Sequence, residues 1–73
     1  LPDFDEHLAH EFVRGLVQSS IARGVDPIAR LQQFRSLQQV TTVMAREPAV
    51  IQAAEHLIQA IDVALCELAP IKS

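Results

Sequence analysis

Cysteine occurs once in this 73-residue chain, at Cys66, so no disulfide can close within it. Glycine occurs twice, and neither copy stands in a phosphate-cradling pattern. No uninterrupted apolar run approaches the ~18 residues that a membrane span needs. No basic start leads into an apolar stretch as in a signal peptide. Basic residues are outnumbered: six Lys and Arg against nine Asp and Glu leave a net charge of −3. That balance argues against a generic nucleic-acid binder, whose footprint is a basic patch. A chain this short buries only about 60% of its unfolded surface, which leaves no room for a catalytic domain beside a cofactor domain. A lone thiol and no membrane segment fit a cytoplasmic protein. The chain opens Leu1-Pro2 rather than on Met, so a fragment of a longer protein is an alternative expectation.

Hydrophobic residues make up 49% and charged residues 21%, a globular rather than a disordered balance. Charge is unevenly spread. Residues 1–25 carry −2, residues 26–46 carry +2 and residues 47–73 carry −3, so a basic middle lies between acidic ends.

Helix signals divide the chain into three. Asp3-Phe4-Asp5-Glu6 reads as a capping box with Asp3 as N-cap and Glu6 three residues on, and its acids suit the positive end of a helix dipole. Gly24 can supply the left-handed residue that ends this helix. Asp26-Pro27 restarts it with a good N-cap and a proline in the first turn. Pro48 marks the next boundary and Pro70 the last, which predicts helices near 4–23, 27–46 and 48–68 in one domain spanning 1–73. Glu47 is a mediocre N-cap, so Pro48 has a second reading as a kink in one long helix. Phase decides between them. Leu31, Phe34, Leu37 and Met44 centre opposite the apolar face of the third segment, and only a hairpin turns both faces inward. The expected fold is an all-α three-helix bundle of antiparallel helices joined by short loops.

The third helix is the clearest. Val50, Ala54, Leu57, Ile61, Ala64 and Leu68 follow a 4-3-4-3-4 spacing, with Ile51, Ile58 and Leu65 beside them. The first helix is apolar over about half its circumference. Leu8, Phe12 and Leu16 form one row; Val13, Val17 and Ile21 form a second. A three-helix monomer is expected to bury one row, leaving the other for a partner. Below about 70–80 residues a single core rarely supplies more than ~3–5 kcal/mol, and disulfides, metals or oligomerisation make up the difference. With a disulfide excluded and no metal site in view, a homodimer is expected. Its interface residues would be Leu8, Phe12, Val13, Leu16, Val17 and Ile21, with Val63 and Cys66 on the otherwise polar side of the third helix.

Little in the chain resembles a reactive site. His7-x-x-His10 with Asp3 and Glu6 is the nearest approach to a ligand cluster, but it lacks the spacing and further ligands of a zinc helix. It reads as surface pairs, Glu6 with His10 and His7 with Glu11. Cys66 has no base placed beside it by sequence and reads as a structural or interfacial thiol. No enzyme, metal, cofactor or small-molecule substrate is expected. The stretch from Arg30 to Thr42 repeats Leu-Gln-Gln six residues apart. Arg30, Gln33 and Arg35 within it are candidate contacts to a partner or, less readily, to base edges. Three Arg and flanking acids make a thin footprint for phosphate. The leading expectation is a dimeric regulator or adaptor that binds a larger protein through apolar helix faces, with Phe12 as its strongest anchor. A nucleic-acid-binding regulator using the second helix, or a docking segment of a longer chain, is the alternative.

Overall fold

The computed structural model describes residues 5–68. These form three α-helices: α1 over Glu6–Ala22, α2 over Pro27–Met44 and α3 over Pro48–Leu68. They pack as an all-α bundle with extents of 38 × 25 × 25 Å.

The helix ends are set by local chemistry. Asp5, not Asp3, caps α1: its extended backbone lets Oδ1 accept the Leu8 amide at 3.0 Å. Asp3 lies outside the described residues, as does Pro70. With Asp5 as N-cap, Leu8 holds the third helical position and no capping box forms there. Sequence could not separate two aspartates two residues apart, each preceding the same apolar pattern.

At the other end Gly24 adopts φ 73°. The Gly24 amide donates to the Ile21 carbonyl at 3.1 Å and the Val25 amide to the Ser20 carbonyl at 2.8 Å. This paired closure satisfies carbonyls that the last turn leaves orphaned. Asp26 then caps α2, with Oδ1 accepting the Ile28 amide at 3.0 Å, and Pro27 occupies the first turn.

α2 ends at Met44, where Ala45 turns to an extended backbone at ψ 146°. The Glu47 carbonyl accepts the Val50 and Ile51 amides, both at 3.1 Å, and so opens α3. Pro48 therefore starts a separate helix rather than kinking one. The chain leaves the helical conformation over residues 45–47, and α2 and α3 pack against each other.

The core is small. Ala9, Val13, Leu31, Ala60 and Ile61 form the buried cluster, with Leu16, Val17, Phe34, Leu57, Ala64, Leu65 and Leu68 packed around it. Ala9 and Ala60 carry only a methyl each, so α1 and α3 contribute little bulk where they meet. Ser20 is wholly buried on α1, and its hydroxyl donates to the Leu16 carbonyl at 2.8 Å, so among the described residues no buried side-chain polar atom is orphaned. α3 packs on both other helices, while α1 and α2 meet most sparsely.

Two measurements check this packing. Leu31 is the bulkiest fully buried side chain. Leu31→Ala is expected to remove about 2–5 kcal/mol, comparable to the ~3–5 kcal/mol a core of this size provides. Its helical circular-dichroism signal should be largely lost at room temperature. Gly24→Ala places a Cβ in open space, so its cost is backbone strain alone, about 1–2 kcal/mol, read as a lower urea midpoint.

Candidate functional site

The two apolar rows of α1 flank its buried line and face different neighbours. Phe12 reaches α2, with its ring centroid 5.4 Å from that of Phe34 and the planes tilted by 35°. Leu16 joins Arg30, Gln33, Phe34 and Leu37 around an open hollow of about 320 Å³ between α1 and α2. On the other flank, Val13 and Val17 meet Ala60, Val63 and Ala64 of α3, in a smaller cleft of about 130 Å³ rimmed by His10, Arg14 and Glu67. A helix that packs on two others uses an apolar row for each, which accounts for the half-circumference pattern in a bundle.

The eight expected interface residues differ in burial. Val13 is buried in the core, and Leu16 and Val17 pack against it. Ile21 is 61% exposed, Phe12 48% and Leu8 36%. Val63 is exposed beside the α3 cleft, and Cys66 is a free, exposed thiol. The eight residues therefore do not share one surface.

The larger departure is on α2. Leu37, Val40, Val43 and Met44 are exposed by 62%, 59%, 80% and 72%. Gln38, Thr41 and Thr42 on the same turns are partly buried instead. Both Thr hydroxyls are occupied by their own helix: Thr41 Oγ1 donates to the Leu37 carbonyl at 3.0 Å, Thr42 Oγ1 to the Gln39 carbonyl at 2.7 Å. Leu31 and Phe34 do turn inward as the phase analysis expects; Leu37 and Met44 do not. The C-terminal half of α2 thus presents its apolar residues to solvent and its small polar ones to the bundle.

The three candidate contacts of α2 separate. Arg30 and Gln33 line the hollow. Arg35 points elsewhere, with Nε 2.7 Å from Asp62 Oδ1 and a second nitrogen 3.5 Å from Oδ2. This ion pair ties α2 to α3 near the surface, where such pairs contribute about 0–1 kcal/mol. No second cation of α2 joins Arg35 to make a basic row.

The histidines form the two helical pairs that their spacing implies. His7 Nε2 lies 3.4 Å from Glu11 and His10 Nε2 lies 3.9 Å from Glu6. Among the described residues no three His, Cys, Asp or Glu side chains gather as metal ligands would. α3 is long enough, and with a mean hydropathy of 1.3 over its most apolar window also apolar enough, to cross a membrane. The uninterrupted-run criterion passes over it because Gln52, Glu55, Gln59 and Asp62 punctuate its exposed side. It packs against both neighbours, and 17% of that window is buried in the bundle.

Neither family models, nor curated proteins, nor solved structures yield a match to this chain.

The placement of α1 leads to a paired expectation. Val17→Asp sets a charge against the core and is expected to destabilise by roughly 2–4 kcal/mol. Ile21→Asp, one turn on and exposed, should stay within about 0.5 kcal/mol of the parent in urea denaturation.

Proposed function

We propose that this chain is a non-enzymatic protein–protein interaction module, a small regulator or adaptor whose docking surface is the outer face of α2 with its α1 rim. One observation carries the reading: α2 exposes Leu37, Val40, Val43 and Met44 while turning Gln38, Thr41 and Thr42 toward the bundle. Scattered surface aliphatics are ordinary. Four large ones within eight residues of one helix, on turns where Gln38, Thr41 and Thr42 are partly buried and Gln39 is exposed, support reading this face as an interaction surface.

Phe12 extends this surface from α1, resting on Phe34 beside the hollow. A half-exposed aromatic held by a second ring is a suitable anchor, because it loses little freedom when a partner covers it. Arg30 and Gln33 stand at the same hollow and supply polar contacts for orientation. The surface sought in the second row of α1 thus moves to α2, and Phe12 keeps its place. Loops as short as residues 23–26 and 45–47 favour antiparallel neighbours. The Arg35–Asp62 pair, linking the interiors of α2 and α3, supports the same course. The single exposed thiol of Cys66 suits a reducing compartment such as the cytoplasm.

The nucleic-acid reading has less behind it. With Arg35 held by Asp62, the outer face of α2 offers Arg30 among apolar side chains. A phosphate-binding face needs several cations together.

The combined substitution Leu37→Ser and Met44→Ser tests the reading. Both positions are exposed, so folding stability should change by no more than about 0.5 kcal/mol each. Retention of a partner protein from cell extract by the immobilised chain should fall about tenfold or more, with Ile21→Ser as an unaffected control. A large loss of stability, or retention indifferent to both changes, overturns it.

A further inference from the structure

We propose that the occupant of the α2 face is a second copy of this chain, paired antiparallel through α2 about a two-fold axis between Leu37 and Val40. The inference rests on the reading of that face as a docking surface and adds its partner and register.

The outer face of α2 carries Arg30, Gln33, Leu37, Val40 and Met44 at a 3-4-3-4 spacing, the seam along which two helices interlock. The hollow on this seam is framed on α2 by Arg30, Gln33, Phe34 and Leu37. Those four stand at i, i+3, i+4 and i+7, the corners of the hole that receives one side chain from a facing helix. Leu16 of α1 closes its far wall. The same helix carries the projecting side chain: Met44 is 72% exposed, at the other end of the seam.

Hole and knob are symmetric about one point. Gln33 and Met44 lie equally far along the chain from the midpoint between Leu37 and Val40. When two copies of α2 run antiparallel about that midpoint, Leu37 of each meets Val40 of the other. Met44 of each then enters the hollow of the other, twice over. A two-fold interface requires a surface that complements itself in this way. A foreign helix would have to bring its own side chain to fill the hollow; a second copy brings one by construction of the sequence.

Charge selects the same direction. Parallel pairing sets Arg30 against Arg30 at one end of the seam. Antiparallel pairing brings Arg30 to the loop of residues 45–47, where the exposed Glu47 stands just beyond Met44.

The purified chain alone provides the test. Sedimentation across a dilution series is expected to show twice the 8.1 kDa of one chain, falling toward the single mass on dilution. Leu37→Lys, which meets Val40 in the pairing, should raise the dissociation constant about tenfold or more with helicity retained. Disulfide trapping in a Cys66→Ser background reads the register. A mixture of Gln33→Cys and Met44→Cys chains should cross-link, and each alone should not. Cross-linking of either variant with itself establishes a different register and overturns the proposal. So does a monomer at every concentration. In that case, retention of another protein that is lost on Leu37→Ser and Met44→Ser leaves the docking surface standing with a foreign occupant. Indifference in both experiments removes the two readings together.

Discussion

A core cluster of five buried side chains holds the described residues together, and two of the five are alanines. Everything else in the structure answers to that shortage of interior. Val13, Leu31 and Ile61 provide the bulk, one from each helix, so the loss of any one leaves a helix without its principal anchor. The surrounding shell from Leu16 to Leu68 is only partly withdrawn from water. Burial yields about 25 cal/mol per Å² of apolar surface, so a half-buried shell returns a fraction of what its composition suggests. A chain in which hydrophobic residues make up 49% therefore leaves much of its apolar surface outside.

Where that surface lies follows from how three helices share contacts. α3 packs on both neighbours and buries Ala54, Ala60 and Ile61, while the rest of its apolar face is half-buried or, at Val50 and Val63, exposed. α1 packs on both other helices and uses a row for each. α2 receives the least from α1, and the hollow opens along that sparse contact. Because Gln38, Thr41 and Thr42 take the inward side of its later turns, Leu37, Val40, Val43 and Met44 have no bundle to enter. The small core and the bare face of α2 are thus two aspects of one distribution. Covering that face, with a second copy or another protein, would supply the burial that the interior lacks.

Punctuation was the most legible layer of the sequence. Gly24, Asp26-Pro27 and Pro48 act through their own backbone constraints and their immediate neighbours, so no distant contact can change their meaning. The apolar seam of α3 was legible for a similar reason: an unbroken heptad pattern on a long helix has one plausible inside. Ala60 and Ala9 were harder to see, because a methyl side chain carries no facial signal and becomes core only through close approach of another helix. The capping aspartate was misassigned by two residues, since Asp3 and Asp5 offer the same short carboxylate. The outward face of α2 escaped altogether. Phase located Leu31, Phe34, Leu37 and Met44 on one broad side, but that side spans more of the helix than the bundle can cover.

By itself, then, the amino-acid order determined that there are helices and where the loops between them fall. Those properties are local, set by backbone torsions, caps and periodicity within a few turns. Only the tertiary structure decided which part of each apolar arc is inside. That choice depends on how many neighbours a helix has and how closely they approach, a relation among segments far apart in the chain. For this reason Val13 lies in the core although it belongs to a row that looked surplus, and Leu37 and Met44 stand in solvent on a face that looked internal.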